Sequence, residues 1–260
     1  MYRISKDIAY LSAGGSCAYH CAYCYSRDGQ YKQGPQDSLT DLIGEIRDLV
    51  LLNRIKTIKV GCDIEFFVNQ AFGTELIRQI WKWGPNISFA TKMSLNEDVV
   101  EELKEMNDEM SSRPKPKRMA AFVSIIGVGT ARKLEPDLPS PEERIDCVAR
   151  LYGAGIPTFV YMKPIMPCIP TNEIREVIAK TRRACSGYVM GSGIFSQNKL
   201  RIAGTTAARE ITVPNWFSER TGGPYYEVVD PRMEKFLKKS RFFSCSNHAL
   251  DYVIDASKKD

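Results

Sequence analysis

Short runs of β-branched and aromatic residues alternate along this chain with longer stretches whose apolar positions recur every three to four residues. The runs near 7–12, 56–61 (KTIKVG), 87–92 (ISFATK), 119–126 (MAAFVSII), 157–163 (PTFVYMK) and 187–191 read as strands. Helical period falls between them, over roughly 38–53, 71–83, 95–110, 139–155 and 171–184. A helix thus separates each strand from the next. That order predicts an α/β protein, a partial (β/α)6 TIM-type barrel over residues 1–195.

Two helix starts carry capping signals. Ser140 suits the N-cap, Pro141 the first helical position and Glu143 the reciprocal capping-box position, with Gly153 or Gly155 to end the helix. Ser94 and Glu97 read as a second capping box, opening the segment 95–110. The stretch 111–119 (SSRPKPKRM) is a Pro- and Lys-rich surface loop. Past residue 195 the rhythm is lost, and Pro214, Gly222, Gly223 and Pro224 punctuate an irregular C-terminal extension, 196–260, that packs on the barrel.

Composition narrows the class. With 260 residues and 43% apolar content the chain can bury a sizeable core. No apolar run approaches the roughly 20 residues of a membrane-spanning helix, and MYRISKDIAYLSAGG lacks the charged-then-apolar order of a signal peptide. A cytoplasmic protein with no membrane attachment is the expectation. The net charge of +5 suits a polyanionic partner without demanding one.

Of eight cysteines, only Cys17, Cys21 and Cys24 cluster, within 16-SCAYHCAYCYS-26. In a reducing compartment this argues for ligation rather than cross-linking. A tetrahedral zinc site wants four ligands, and His20, wedged between two of the cysteines, is badly placed to be the fourth. Zinc completed by Cys245 or His248 stays open as an alternative, as do unligated core cysteines. Three thiolates on one compact loop suit three corners of a cubane cluster that leaves one iron open to a small ligand.

The C-x3-C-x2-C spacing with an aromatic before its last cysteine, directly after the first strand of a β/α protein, resembles the radical S-adenosylmethionine superfamily. The resemblance implies a [4Fe–4S] cluster on Cys17, Cys21 and Cys24, with S-adenosylmethionine chelating the fourth iron. It also implies a reducing electron donor of the flavodoxin or ferredoxin type, and cleavage of the cofactor to a 5′-deoxyadenosyl radical that takes hydrogen from substrate. Such a cofactor needs a cation, hydroxyls and a flat apolar slot, which the C-terminal ends of barrel strands would supply. Lys92 closes an apolar strand and its ammonium, if directed into the barrel mouth, needs an anion there; a lysine snorkelling to solvent is the alternative. Ser124 either serves the cofactor or bonds to backbone, and Tyr23 packs on adenine or shields the cluster. Asp63 follows the second strand, and Gly191, in 187-GYVMGSGIF-195, would let backbone approach adenine closely.

Over about residues 8–195 the chain resembles most the spore-photoproduct-lyase-like branch, often labelled DNA repair photolyases. HCAYCY, ATK, SII and the segments 133-KLEPDLPSPEERIDCVARLYGAGIP-157 and 163-KPIMPCIP-170 carry that likeness. It implies a lyase-like reaction on a nucleic-acid lesion or nucleotide, with Cys62 as hydrogen-atom donor and Tyr23 and Tyr25 as relays. The alternative role for Cys62 is a small apolar residue at a strand end. Candidate phosphate contacts are Arg113, Lys115, Lys117, Arg118, Lys199, Arg201, Lys238, Lys239 and Arg241. A radical enzyme acting on a peptide or small metabolite, and a non-catalytic metal-binding module, are the rival readings.

Overall fold

The computed structural model describes residues 2–11, 17–24, 39–52, 54–62, 64–113, 118–206, 208–213 and 224–256. The chain opens with a hairpin in which β1 (Tyr2–Ser5) pairs antiparallel with β2 (Ile8–Leu11). From β2 onward, β3 (Thr57–Val60), β4 (Asn86–Thr91), β5 (Met119–Ser124), β6 (Thr158–Met162) and β7 (Gly187–Met190) follow one another in parallel, so sequence order is spatial order. All six strands expected from the apolar runs form. They are apolar on both faces because both faces are covered; β5 is buried at every position.

The crossovers are helical: α1 (Leu39–Leu51), α2 (Gln70–Trp81), α3 (Glu97–Ser112), the short α4 (Gly129–Leu134), α5 (Pro141–Gly153) and α6 (Thr171–Thr181). The main core lies between these helices and one face of the sheet, with Ile58, Phe89, Val123, Val160 and Met190 meeting Leu76, Leu103, Val148 and Val177. α5 begins as the sequence predicts: the Glu143 N–H donates to Ser140 Oγ at 3.2 Å and the Ser140 N–H to Glu143 Oε2 at 2.7 Å. The second expected capping box does not form. Asn96 is the N-cap of α3, and Ser94 Oγ instead accepts from Arg150 at 2.9 Å while the Asn96 N–H reaches Gln70 Oε1 at 2.8 Å. A guanidinium from α5 outbids the local backbone for the serine hydroxyl.

The region without sequence rhythm is not formless. β8 (Gly193–Ser196), β9 (Arg209–Ile211) and β10 (Tyr225–Val228) make a small antiparallel sheet in the order β8-β10-β9. β11 (Phe242–Phe243) then joins the main sheet beside β7, in parallel. The helix Ser246–Ala256 lies on the sheet face opposite α1–α6, where Ala249 and Leu250 pack against Ala120, Phe122, Phe159 and Val189. Pieces of two to four residues are too short for periodicity to register. No described helix is long and apolar enough to cross a membrane.

Candidate active site

The C-terminal ends of β2–β6 and the small sheet enclose a cavity of about 630 Å³. Its wall includes Cys17, Cys21, Cys24, Tyr23, Cys62, Lys92 and Ser124, so most of the sequence-predicted site residues meet at one place. Tyr25, Asp63, Lys115 and Lys117 lie outside the described residues. Cys21 is buried, Cys17 and Cys24 are half-buried and Cys62 is exposed. Among the described residues no three His, Cys, Asp or Glu side chains converge on one metal-ion position. Thiolates holding a cubane are spread over several irons, a wider arrangement than single-ion ligation requires.

The cysteine loop is clamped by the segment that follows β5. The Ala22 N–H donates to the Leu134 carbonyl at 2.8 Å, and His20 Nδ1 sits 2.8 Å from Asp137 Oδ2. His20, to which the sequence assigns no mechanism, is thereby a tether between the loop and the 129–138 segment. From the far side Lys199 Nζ donates to the Cys24 carbonyl.

Beneath the loop lies a buried charge cluster. Glu135, whose side chain has 0% exposure, forms ion pairs with Lys92 at 2.7 Å and Arg144 at 2.8 Å, and accepts from the Tyr23 hydroxyl. Burial alone would raise the Glu135 carboxyl, yet Lys92 and Arg144 hold it well below the usual carboxylate range. For Lys92, burial works against the ammonium and Glu135 overrides it, so the lysine stays charged. Two cations facing one carboxylate leave one positive charge over, and 22% of the Lys92 side chain remains exposed. A half-buried excess charge favours an anionic ligand.

Lys92 also reaches Cys21 Sγ at 3.5 Å. Burial pushes the Cys21 thiol up to about 11 against the pull of that ammonium. Arg144 Nη1 continues the network to the Ser124 carbonyl at 2.9 Å, while the buried Ser124 Oγ, on the cavity wall, has no hydrogen-bond partner among the described residues. A buried hydroxyl left over in a cavity fits a ligand that supplies its partner.

A second carboxylate, Glu65, positions the end of β4. It accepts from Thr91 Oγ1 at 2.7 Å, the Lys92 N–H at 2.6 Å and the Phe67 N–H at 3.1 Å. Burial raises its pKa despite these bonds. Gly61, with φ +76°, precedes Cys62, and a Cβ there would stand 2.5 Å from the Ala90 carbonyl oxygen. Sequence reasoning missed Glu65 and Glu135 because isolated acidic residues in loops read as solvated surface; only the contiguous likeness over 133–157 includes Glu135.

Gly191 does not itself line the cavity; its Cα faces the Lys163 side chain, and Ser192, Gly193 and Ile194 form the wall beyond it. Among the basic candidates, Arg113 is spent on the Trp81 carbonyl and ring, Arg118 on Ser111, and Arg241 on the carbonyls of Cys185 and Ser186. Arg201, Lys238 and Lys239 are exposed. Cys147 is buried core and accepts from the Leu95 N–H, and His248 is exposed beside Ser244.

The open, mostly parallel sheet in this order is shared with solved structures that include radical S-adenosylmethionine enzymes. A solved structure of spore photoproduct lyase with dinucleoside spore photoproduct matches at TM-score 0.61 and 14% identity, covering 95% of this chain and 73% of that one. Streptococcus suis SuiB bound to S-adenosylmethionine matches at TM-score 0.57 and 12% identity, covering 97% of this chain. The radical S-adenosylmethionine methyltransferase TsrM from Kitasatospora setae matches at TM-score 0.54 and 16% identity over 71% of this chain and 35% of that one. This chain spans 47% of the length of SuiB. At these identities the likeness is one of fold. No protein-family model and no curated protein sequence matches the chain.

Proposed function

We propose that the protein is a radical S-adenosylmethionine enzyme, with a [4Fe–4S] cluster on Cys17, Cys21 and Cys24 and the cofactor bound between that loop and the ends of β4 and β5. One convergence carries this reading: three loop thiols, the Lys92 ammonium of a charge cluster with one cation in excess, and a buried hydroxyl with no partner among the described residues share a single cavity wall. When bound, the cluster and S-adenosylmethionine supply one-electron reductive cleavage and hydrogen abstraction, fed by a donor of the flavodoxin or ferredoxin type.

The chain's own residues bind and orient. Lys92, held charged by Glu135, offers its ammonium to the cofactor carboxylate, exchanging for it the long 3.5 Å contact to Cys21 Sγ. Ser124 offers its hydroxyl to a cofactor heteroatom. Tyr23 closes the apolar side, and its proton already has an acceptor in Glu135. Asp63 and Tyr25 join the proposal by resemblance, as does Gly191, which makes room for neighbouring wall residues.

For substrate we favour a nucleic-acid lesion or nucleotide. Cys62, exposed on the cavity wall, can pass its S–H hydrogen to a carbon radical, with Tyr23 and Tyr25 as relays. The motif likeness to the spore-photoproduct-lyase-like branch and the match to spore photoproduct lyase support this. A peptide substrate is the second reading, favoured by the match to SuiB bound to precursor peptide SuiA, at TM-score 0.57 and 10% identity.

The test is anaerobic reconstitution with iron and sulfide, reduction by dithionite and assay for 5′-deoxyadenosine. The product is expected from the wild type and not from Cys21→Ala. A full cluster without cleavage would leave only a metal-binding module. Binding to single-stranded DNA that is absent, or insensitive to salt, would remove the nucleic-acid reading.

A further inference from the structure

The cavity wall carries a second lysine that the cofactor reading does not use. Lys163, just beyond β6, lines the wall and makes no hydrogen bond or ion pair among the described residues. Its stem occupies space left by absent side chains. A Cβ at Gly191 would lie 2.8 Å from Lys163 Cδ and 3.0 Å from Cε, and one at Gly193 would lie 2.5 Å from Pro164 Cβ. The two glycines of 190-MGSG-193 thus form a trough for Lys163 and Pro164. The absent side chains give the Lys163 stem room to lie along the backbone toward the cavity.

The neighbouring groups set the charge. Glu227 on β10 accepts from Ser192 Oγ at 2.7 Å and pairs with Arg209 of β9 at 2.5 Å. These hydrogen bonds hold the Glu227 carboxyl below its ordinary range, with Lys163 adding to the effect from further off. Glu227 is therefore already matched by Arg209, and the charge of Lys163 is left over. Thr212, also on the wall, adds a hydroxyl.

From this placement we infer that Lys163 is an anion-binding residue for the substrate, taking a phosphate or carboxylate oxygen two strands along the sheet from Lys92. The inference rests on the proposed reading for what occupies the space beside Lys92, and it narrows the substrate to molecules bearing an anionic group. A charge-assisted contact of this kind is worth roughly ten- to a hundredfold in affinity.

The experiment is a calorimetric titration of the reconstituted full chain with S-adenosylmethionine saturating, so that the space beside Lys92 is filled. The probes are thymidine 5′-monophosphate, thymidine and a tripeptide with a free C-terminal carboxylate. The variants are Lys163→Gln and Lys163→Arg. Expected is binding of one anionic probe that falls at least tenfold in Lys163→Gln and is largely restored in Lys163→Arg, with thymidine indifferent to both. Loss with the nucleotide identifies phosphate as the group; loss with the peptide identifies carboxylate. Unchanged affinity in a folded Lys163→Gln, or no binding of either anionic probe by the wild type, overturns the inference. Deoxyadenosine formation by the wild type is read separately, so the enzyme reading and this one fall independently.

Discussion

Lys92 and Glu135 are 43 positions apart in sequence and meet at 2.7 Å, at the foot of the cysteine loop. The contact ties the end of β4 to the segment after α4, and through Tyr23 to the loop itself. Glu135→Gln should therefore be costly, about 3–5 kcal/mol, because it strands Lys92 and Arg144 in a buried place. Chemical denaturation is the direct measure. The carboxyl has a depressed pKa in the folded protein, so its contribution is complete above the ordinary carboxylate range and is lost as pH falls through that range toward the depressed value. The stability gap between wild type and Glu135→Gln should accordingly narrow as pH falls from about 5 to about 2.

Lys92→Met should weaken S-adenosylmethionine binding by roughly tenfold or more, since it removes the excess positive charge. Glu135 keeps Arg144 as a partner in this variant, so the fold should survive. Equilibrium binding to the reconstituted protein reads the first effect and thermal unfolding the second.

Ser124→Ala separates binding from folding more cleanly. Its hydroxyl has no partner among the described residues, so melting temperature should stay close to that of the wild type. Cofactor affinity should fall by about 0.5–1.5 kcal/mol, the ordinary worth of one hydrogen bond.

The cysteines should divide by role. Cys17→Ala, Cys21→Ala and Cys24→Ala should each lose most reconstituted iron, read by iron analysis and the visible absorption of the cluster. Cys62→Ala should keep the iron and change the fate of the substrate radical, read by product distribution in deuterated solvent. Loss of iron in Cys62→Ala would move that residue from donor to ligand.

Gly61→Ala tests how Cys62 is presented. The substitution meets both a left-handed backbone and a carbonyl oxygen 2.5 Å away, and should cost about 1–3 kcal/mol by thermal unfolding.

The barrel was legible because its strands are buried on both faces and leave uninterrupted apolar runs such as MAAFVS. The Ser140 cap was legible because capping is a local transaction within four residues. Ser94 carried the same local signal and was overruled by Arg150, a partner 56 positions away that no short window contains. Cys17, Cys21 and Cys24 announce themselves by spacing. Glu135 and Lys163 do not, since what distinguishes them is a shortage or surplus of partners after folding. The small sheet was invisible for another reason, its strands being brief and joined out of sequence order, with β10 between β8 and β9.

The helix Ser246–Ala256 packs against a cluster that includes Ala90 and Tyr161, both of which also line the cavity. Asn247 sits 3.5 Å from the hydroxyl of Tyr10, a residue 237 positions earlier. The cysteine loop leaves the ribosome early, and the helix that backs two residues of the cavity wall arrives more than two hundred residues later. During synthesis there is thus an interval in which the thiols are present and their shelter is not. Iron delivered in that interval would meet water and oxygen, and loading is best deferred until the last helix has docked.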